Sequence, residues 1–484
     1  MIYFSDGCEI AGYSTCVSGF PPKASGAVLP YLQVMGRALG ASEVAMGSVT
    51  ALLPPLFLLA KPLFGLLADH FTAHRSRLFL MVLAGQNVAF GCLYWVPCTN
   101  CTTANNMTSS ADNITSLANN SISLASNSTS LANNGTTTSN PSESLYSSAS
   151  WWCFVGLLAL GTIFYNVANS VSDAITFDIL GDGCEMSYGE QRVWGTVGFG
   201  LSGLLSGSAM QWWHTDYEPA LALAVVFGVV DLLVCQYHLK MPPLPRSERI
   251  LRDVGSLVSR PNVAVFLVFA AVCGALDGFV VYYLFWFLEE RAEVSSSHSV
   301  KLIEGLVLAA ETLLGETAFF YLSGAILARL GSQGRHTHAR GLSLALAAYA
   351  LRCALVSAAS SPWHLLPIEA LMQGPSYALS YSAIVGYAAS VSPPGASATV
   401  QGLVAGVDDG LGYAVGSLLG GVLYKYAGGA VAFRVFAAVA AVSAVSHLAV
   451  YELKLKKDHG DQVPVGYSAA AVTEEEGTGA NGAQ

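Results

Sequence analysis

The sequence predicts an all-α polytopic membrane protein: twelve transmembrane helices in two six-helix halves, with an atypical first helix. Three observations predict this. The 484 residues are 53% hydrophobic and only 11% charged, well below the roughly one-quarter charged composition of soluble domains. Long apolar runs recur, each near the ~20 residues that cross a hydrocarbon core. Lys and Arg gather in alternate loops, the pattern of a chain threaded back and forth through a bilayer.

The first span, 17–38, is the weakest, because Phe20-Pro21-Pro22-Lys23 interrupts an apolar run ending Ala27-Val28-Leu29-Pro30-Tyr31-Leu32. No basic region followed by an apolar core precedes it, so no cleavable signal peptide is expected. Spans 44–68 and 77–97 follow, and then a loop, 98–150, rich in Asn, Ser and Thr and free of Lys and Arg. It holds six Asn-x-Ser/Thr acceptors, at Asn100, Asn106, Asn113, Asn119, Asn127 and Asn134, whereas Pro141 disqualifies Asn140. Such a loop reads as a glycosylated lumenal or extracellular surface. Its Ser-Leu-Ala repeat at seven-residue spacing lacks a second apolar position and cannot build a coiled-coil seam, so a disordered glycan-bearing tract is expected. Cys98 and Cys101 fall on this side, where a disulfide is chemically permitted. No second pair or His cluster accompanies them, so no metal site is expected.

Spans 151–178, 193–212 and 218–237 complete an N-terminal half, 1–237. The segment 238–261, with Met241-Pro242-Pro243-Leu244-Pro245 and five basic residues, reads as a cytoplasmic linker. Spans 262–289, 302–330, 341–360, 363–391, 398–424 and 428–452 form the C-terminal half, 262–452, and 453–484 reads as a disordered tail. With 98–150 outside, alternation puts 69–76, 181–192, 238–261, 331–340 and both termini in the cytoplasm. Fourteen of the 22 Lys and Arg fall there or within two residues of these bounds, among them Arg75, Arg77 and Arg192, and none lies in 98–150. His336 and His338, in the basic 331–340 loop, read as solvated. The net charge of -10 lies largely in loops and in Glu474-Glu475-Glu476 and points to no cationic partner.

Two pseudo-equivalent halves are common among secondary transporters. Local motifs agree: Gly65-Leu66-Leu67-Ala68-Asp69-His70 closes one span and Gly324-Ala325-Ile326-Leu327-Ala328-Arg329 another, each before a basic loop. Residues 60–77 resemble the loop 2–3 signature of the major facilitator superfamily, with Gly65, Leu67, Ala68 and Asp69 matching its Gly-x-Leu-Ala-Asp core and His70 and Thr72 departing from it. Further stretches resemble the group called major facilitator superfamily domain-containing protein 6. They are Lys61-Pro62, Tyr188 to Gly195 with Gly198, Glu316 to Gly324, and segments within 368–436 such as Ile368-Glu369-Ala370-Leu371, Pro393-Pro394-Gly395, Ala398 to Gly402 and Phe433 to Phe436. The resemblance covers most of the chain from residue 27 on. It implies the major facilitator fold, alternating access, and, for some members of the group, receptor-like roles.

Charged residues inside spans are expensive and are functional hypotheses by default. Here they are Lys61, Asp173, Asp178, Asp231, Asp277, Glu311, Glu316, Arg352, Glu369, Asp408 and Asp409. Asn166, Asn169 and Asp173 share one helical face and are expected to line a polar cavity, with an interhelical hydrogen-bond seam as the alternative. Asp277, Glu311 and Glu316 lie near mid-membrane and suit proton uptake and release as access alternates. A structural pair between Glu316 and Arg352 is the competing reading. In the resembled fold the second and eleventh spans pack together, so Lys61 is expected to neutralise Asp408 or Asp409. Asp69 is then placed to cap the helix starting near Ser397, where the helix dipole favours a carboxylate.

Gly402, Gly406 and Gly410, followed by Gly412, Gly416 and Gly420, form two small-residue stripes. Gly195, Gly198, Gly203 and Gly207 form a poorer one, and all are read as packing seams. Tyr282, Tyr377 and Tyr381 are placed to flank an organic substrate, while Tyr283 and Trp286 suit an interfacial belt.

No Gly-x-x-x-x-Gly-Lys-Ser/Thr loop is present to support ATP-driven pumping, and neither an enzyme, a cofactor nor a nucleic-acid partner is indicated. The sequence thus points to a secondary transporter of a small organic solute, driven by protons. The route is lined by Asn166, Asn169, Asp173, Asp277, Glu311, Glu316, Tyr377, Tyr381 and Asp408, and gating falls to Lys61, Gly65, Asp69 and Arg192. The alternative is a transporter-shaped surface receptor that uses 98–150 for recognition. The plasma membrane is the expected residence.

Overall fold

Apolar runs that must satisfy every backbone N–H and C=O internally become helices, and in the computed structural model every long element is one. The structure describes residues 24–32, 35–36, 39, 41, 43–96, 146, 148–181, 187–213, 218–239, 249–294, 300–331 and 335–451, and no strand occurs among them. The six glycosylation acceptors, Cys98, Cys101, residues 17–23 of the first expected span, most of the Pro-rich linker and the tail lie outside the described residues.

The helices are α1 (Glu43–His70), α2 (Arg75–Cys92), α3 (Ala149–Leu180), α4 (Tyr188–Trp213), α5 (Glu218–His238), α6 (Ile250–Val258) and α7 (Pro261–Val294). Three later helices each contain a π-helical turn. α8 runs Val300–Ala310, Glu311–Glu316 (π) and Thr317–Leu330; α10 runs Leu365–Gln373, Gly374–Ala378 (π) and Leu379–Val391; α11 runs Ser397–Ala405, Gly406–Gly412 (π) and Tyr413–Ala427. Between and after them stand α9 (Arg335–Ala358) and α12 (Gly429–Val450). Eleven of these coincide with the eleven strong expected spans, and eight are long and apolar enough by composition alone to cross a membrane. The remaining three, α4, α10 and α11, are diluted by glycine, serine and buried polar residues.

Tight connections bring successive helices together. Gly395 (φ 76°) turns the chain between α10 and α11, and Gly428 (φ 82°) between α11 and α12, both in the left-handed region where a Cβ is disfavoured. Before α1, the segments Ala24–Ala27 and Leu29–Tyr31 form 3₁₀ turns, the first packed against α4 and α5. They occupy the place of the expected first span without forming one long helix among the described residues.

The linker holds more order than expected: α6 buries Ile250, Val254 and Leu257 at i, i+4, i+7 spacing against α7. This one-sided stripe is that of a helix lying along a surface.

The early and late helices meet mainly along α1–α11 and α4–α8, with α3 also touching α10 and α11. Glycines permit the first of these contacts. A Cβ on Gly402 would strike the Lys61 carbonyl, and Gly406 and Gly410 lie against Leu58. The second stripe faces α7: Gly412 meets Ala271 and Gly274, Gly416 the Ala275 carbonyl, and Gly420 the rings of Phe279 and Tyr283. The π turn advances the helix face between Gly410 and Gly412, so one helix serves two neighbours.

Candidate functional site

The polar groups form three linked clusters at the meeting of the two halves. The first seals one end. The Asp69 carboxylate, at the C-terminal end of α1, accepts from the Ala398 N–H (3.2 Å), the Thr399 N–H (2.6 Å) and the Thr399 hydroxyl (2.6 Å). Free N–H groups and the positive helix end both favour an anion there. Gly65, one turn earlier, lets α1 approach so closely that a Cβ would overlap the Ala398 carbonyl. Beside this cap, Arg75 donates to Asp178 (2.6 Å), and the Ser397 hydroxyl donates to the same carboxylate (2.9 Å), joining α2, α3 and α11. Arg75, placed by the sequence among the cytoplasmic loop cations, is buried, because α2 begins at that residue and turns it into the interface. His338, read from sequence as solvated, is corrected for the same reason. α9 starts at Arg335, so His338 faces inward at 2% exposure, its ring against Gly386 of α10.

The second cluster lies in the C-terminal half. Asp277 of α7 accepts from the Tyr349 hydroxyl of α9 (2.8 Å) and from the Tyr413 hydroxyl of α11. These residues, with Cys273, Tyr377, Ser380, Tyr381, Asp408 and Asp409, line a small cavity of ≈ 30 Å³. On the side of the N-terminal half, Lys61 is ion-paired with Asp409. The sequence left Asp408 and Asp409 as equal candidates for this lysine; Asp408 instead faces the cavity.

The third cluster spans the halves. Both oxygens of Asp173 are occupied, by the Tyr188 hydroxyl of α4 (2.8 Å) and the Tyr381 hydroxyl of α10 (2.6 Å). Arg192 of α4 is 8% exposed. Its guanidinium lies over the Tyr381 ring (5.2 Å) and the Phe320 ring (5.7 Å), and its Nε has no hydrogen-bond partner. Across the interface, Glu316 accepts from Gln373 Nε2 (3.0 Å).

Arg352 is not the partner of Glu316, as one reading of the sequence had it. It pairs with Glu369 and also donates to Ser376 (3.1 Å), all three buried within α9 and α10. The reason is register: Glu369 and Ser376 lie two turns apart on α10, so one guanidinium reaches both. Glu311 opens the π turn that Glu316 closes and is only partly buried.

Asn166 does not face the cavity; its amide donates to the Thr162 carbonyl one turn back (3.0 Å). Asn169 is also only partly buried and is absent from the cavity lining. Of this set, Asp173 reaches the C-terminal half through the Tyr381 hydroxyl.

Sequence reasoning missed Tyr349, Tyr413 and Tyr188 as carboxylate partners. Tyrosines in apolar helices usually read as packing, and their hydroxyl contacts are cross-helix facts without local spacing. The three π turns were equally invisible, although glycine and carboxylate mixtures such as Glu311 to Glu316 and Gly406 to Gly412 mark two of them. Such turns concentrate at functional sites.

A membrane-spanning helical bundle closed at one end by paired charges, with a polar cavity enclosed at its centre, defines an integral multi-pass membrane protein of the transporter class. The chain belongs to the MFS_1 like family, whose model matches residues 23–435. Its fold is similar to the nucleoside transporter NupG, solved as a point mutant, at a TM-score of 0.56 and 16% identity, covering 92% of this chain and 100% of that one. It is equally similar to the human organic anion transporter MFSD10 (TETRAN), at a TM-score of 0.56 and 16% identity, covering 90% of this chain and 98% of that one. At this identity the likeness is one of fold: the major facilitator arrangement of two helical halves.

Proposed function

We propose that this membrane transporter moves a small organic solute by alternating access and couples the movement to protons. One observation carries the reading: a cavity lined by Asp277, Asp408 and four tyrosines lies beside breakable contacts between the halves, namely Asp69 on the α11 N-terminus, Lys61 on Asp409 and Asp173 on Tyr381. A site near mid-membrane, between bodies held by a few polar contacts, can be exposed to either side as the contacts at each end break and re-form. Carboxylates there take up a proton when desolvated and lose it when wetted.

Asp277 and Glu316 are the proton carriers in this scheme, with Glu311 nearby in the same π turn as Glu316. Arg192, stacked on Tyr381 and free of a hydrogen bond at Nε, is free to exchange between the fields of Asp173 and Glu316. It thus acts in coupling as well as gating. Asp69, Gly65 and Lys61 form the gate. The expected residence is the plasma membrane with both termini cytoplasmic, which makes the sealed end the cytoplasmic one. The narrower placement in the domain-containing protein 6 group belongs to the same proposal. Residues 98–145 of the loop on which a receptor role would depend lie outside the described residues.

The test is a solute screen in proteoliposomes with an imposed pH gradient. Uptake should follow the gradient and fall at least tenfold in Asp277→Asn and Glu316→Gln. Uptake indifferent to pH and to both substitutions would remove the coupling; binding and flux with no solute class at all would remove the transport reading.

A further inference from the structure

A second and larger cavity, of ≈ 300 Å³, lies between α4, α8 and the Leu29–Tyr31 turn, apart from the acid-and-tyrosine cavity. Its walls are Phe199, Leu204, Leu308, Leu313 and Ala309, with Gly200, Gly203, Gly207 and Gly305 supplying space rather than side chains. It is wedge-shaped because the α4–α8 contact loosens along its length. At the sealed end a Cβ on Gly189 would strike the Ser323 hydroxyl and the Phe320 carbonyl, and midway one on Gly200 would meet Leu313. Farther along, a Cβ on Gly203 would touch only the Gly26 carbonyl, at 3.3 Å, and one on Gly305 would meet nothing within 4 Å. Gly203 and Gly207 keep the packing seam that their spacing predicts, against the segment before α1, where a Cβ on Gly207 would strike the Tyr31 hydroxyl at 2.8 Å; the opening lies on the α8 side, at Gly305.

Three features identify the occupant. Leu204 and Leu308 belong to the cavity wall and are also exposed on the outer surface of the bundle, so the wall continues into the face that meets bilayer hydrocarbon. The exposed Trp212 and Trp213 end α4, and indoles mark the headgroup level; Gly207 is five residues deeper, about 8 Å at the helical rise. The polar side chains of the lining are three, Tyr31, Ser208 and Thr312; Tyr31 donates to the Gly203 carbonyl (2.9 Å) and Ser208 lies at the exposed edge. An apolar space of this size at hydrocarbon depth, open to the side, excludes water and suits an alkyl chain.

We propose that the cleft between α4 and α8 takes an acyl chain of a bilayer phospholipid, entering laterally between the two halves. The chain would wedge α4 from α8 at this end while leaving the Asp69 end shut, so lipid occupancy favours one of the alternating states. Occupancy itself does not depend on transport.

The test uses the full-length protein in phosphatidylcholine nanodiscs containing a phosphatidylcholine with a photoactivatable diazirine in its acyl chain. After illumination, adducts are mapped by mass spectrometry. Labelling of segments 199–208 and 305–313 should exceed that of the exposed α12 surface around Val442 and Val445 by at least fivefold. Gly305→Phe, which projects a ring into open space, should abolish the excess and leave α12 labelling and the melting temperature unchanged. Should Gly305→Phe unfold the protein, Leu308→Trp serves as the second filling variant. Labelling of the cleft no greater than that of α12, or an excess that persists in a folded filled variant, overturns the proposal.

Discussion

Arg352 and Glu369 show what a buried charge demands of its surroundings. At 2% and 0% exposure they have no water to turn to, so removing one leaves the other uncompensated, at a cost of about 3–5 kcal/mol. Arg352→Ala should therefore lower the melting temperature sharply in detergent, whereas the double variant Arg352→Met with Glu369→Leu should recover most of it. A double variant as unstable as the single one would contradict the pairing. Asp69 makes a different prediction, because its carboxylate bonds the end of a helix in the other half. Losing a cap to alanine costs about 0.5–2 kcal/mol, so Asp69→Ala should shift the equilibrium toward opening at that end by roughly fivefold. The readout is the labelling rate of a cysteine placed at Ala68, which is fully buried beside Ala398 in the closed seam. The Asp69 cap could be anticipated because motif and helix start are both local. The Asp277–Tyr413 bond could not, since 136 residues separate its partners.

α11 is the helix on which most of the site converges. Its N-terminus receives Asp69, its first glycine stripe receives α1, its π turn presents Asp408 and Asp409, and its second stripe receives α7. A π turn holds one residue beyond the regular helix, so deleting Leu411, which is exposed, should restore α geometry there. Later residues then keep their register, because the deleted residue is the one the turn had absorbed, while the turn that presents Asp408 and Asp409 to the cavity is lost. The expected product is a folded protein without solute binding at the cavity, checked by comparing thermal stability with uptake. Gly402→Val tests the same helix by volume. Its added methyls meet the Lys61 backbone, and overpacking of this kind costs about 1–3 kcal/mol, expected here as a looser α1–α11 contact and faster labelling of the Ala68 reporter. The strong spans were legible because hydropathy and length act within each helix. α4, α10 and α11 were legible only as apolar lengths, since the partner facing each glycine is set by the assembled bundle.

At the scale of the whole molecule, the charge pattern that set the expected topology makes a separate prediction about 98–150. If that loop is outside, each Asn→Gln change at Asn100, Asn106, Asn113, Asn119, Asn127 and Asn134 should remove one glycan, visible as a stepwise gain in electrophoretic mobility that glycosidase treatment abolishes. No change on glycosidase treatment would place the loop on the other side and reverse the assignment of every end. The major facilitator arrangement was legible from motif and hydropathy together, whereas the lateral cleft was not, because it arises from side chains that are absent. The three π turns, at Glu311–Glu316, Gly374–Ala378 and Gly406–Gly412, all lie in the C-terminal half, and no described helix of the N-terminal half contains one. Each stores a spare residue inside an otherwise regular rod. Such a rod can pass its surplus along its length, re-aiming side chains while its ends stay anchored. Among the described residues, slack of this kind is therefore gathered in the half whose carboxylates and tyrosines can change partners.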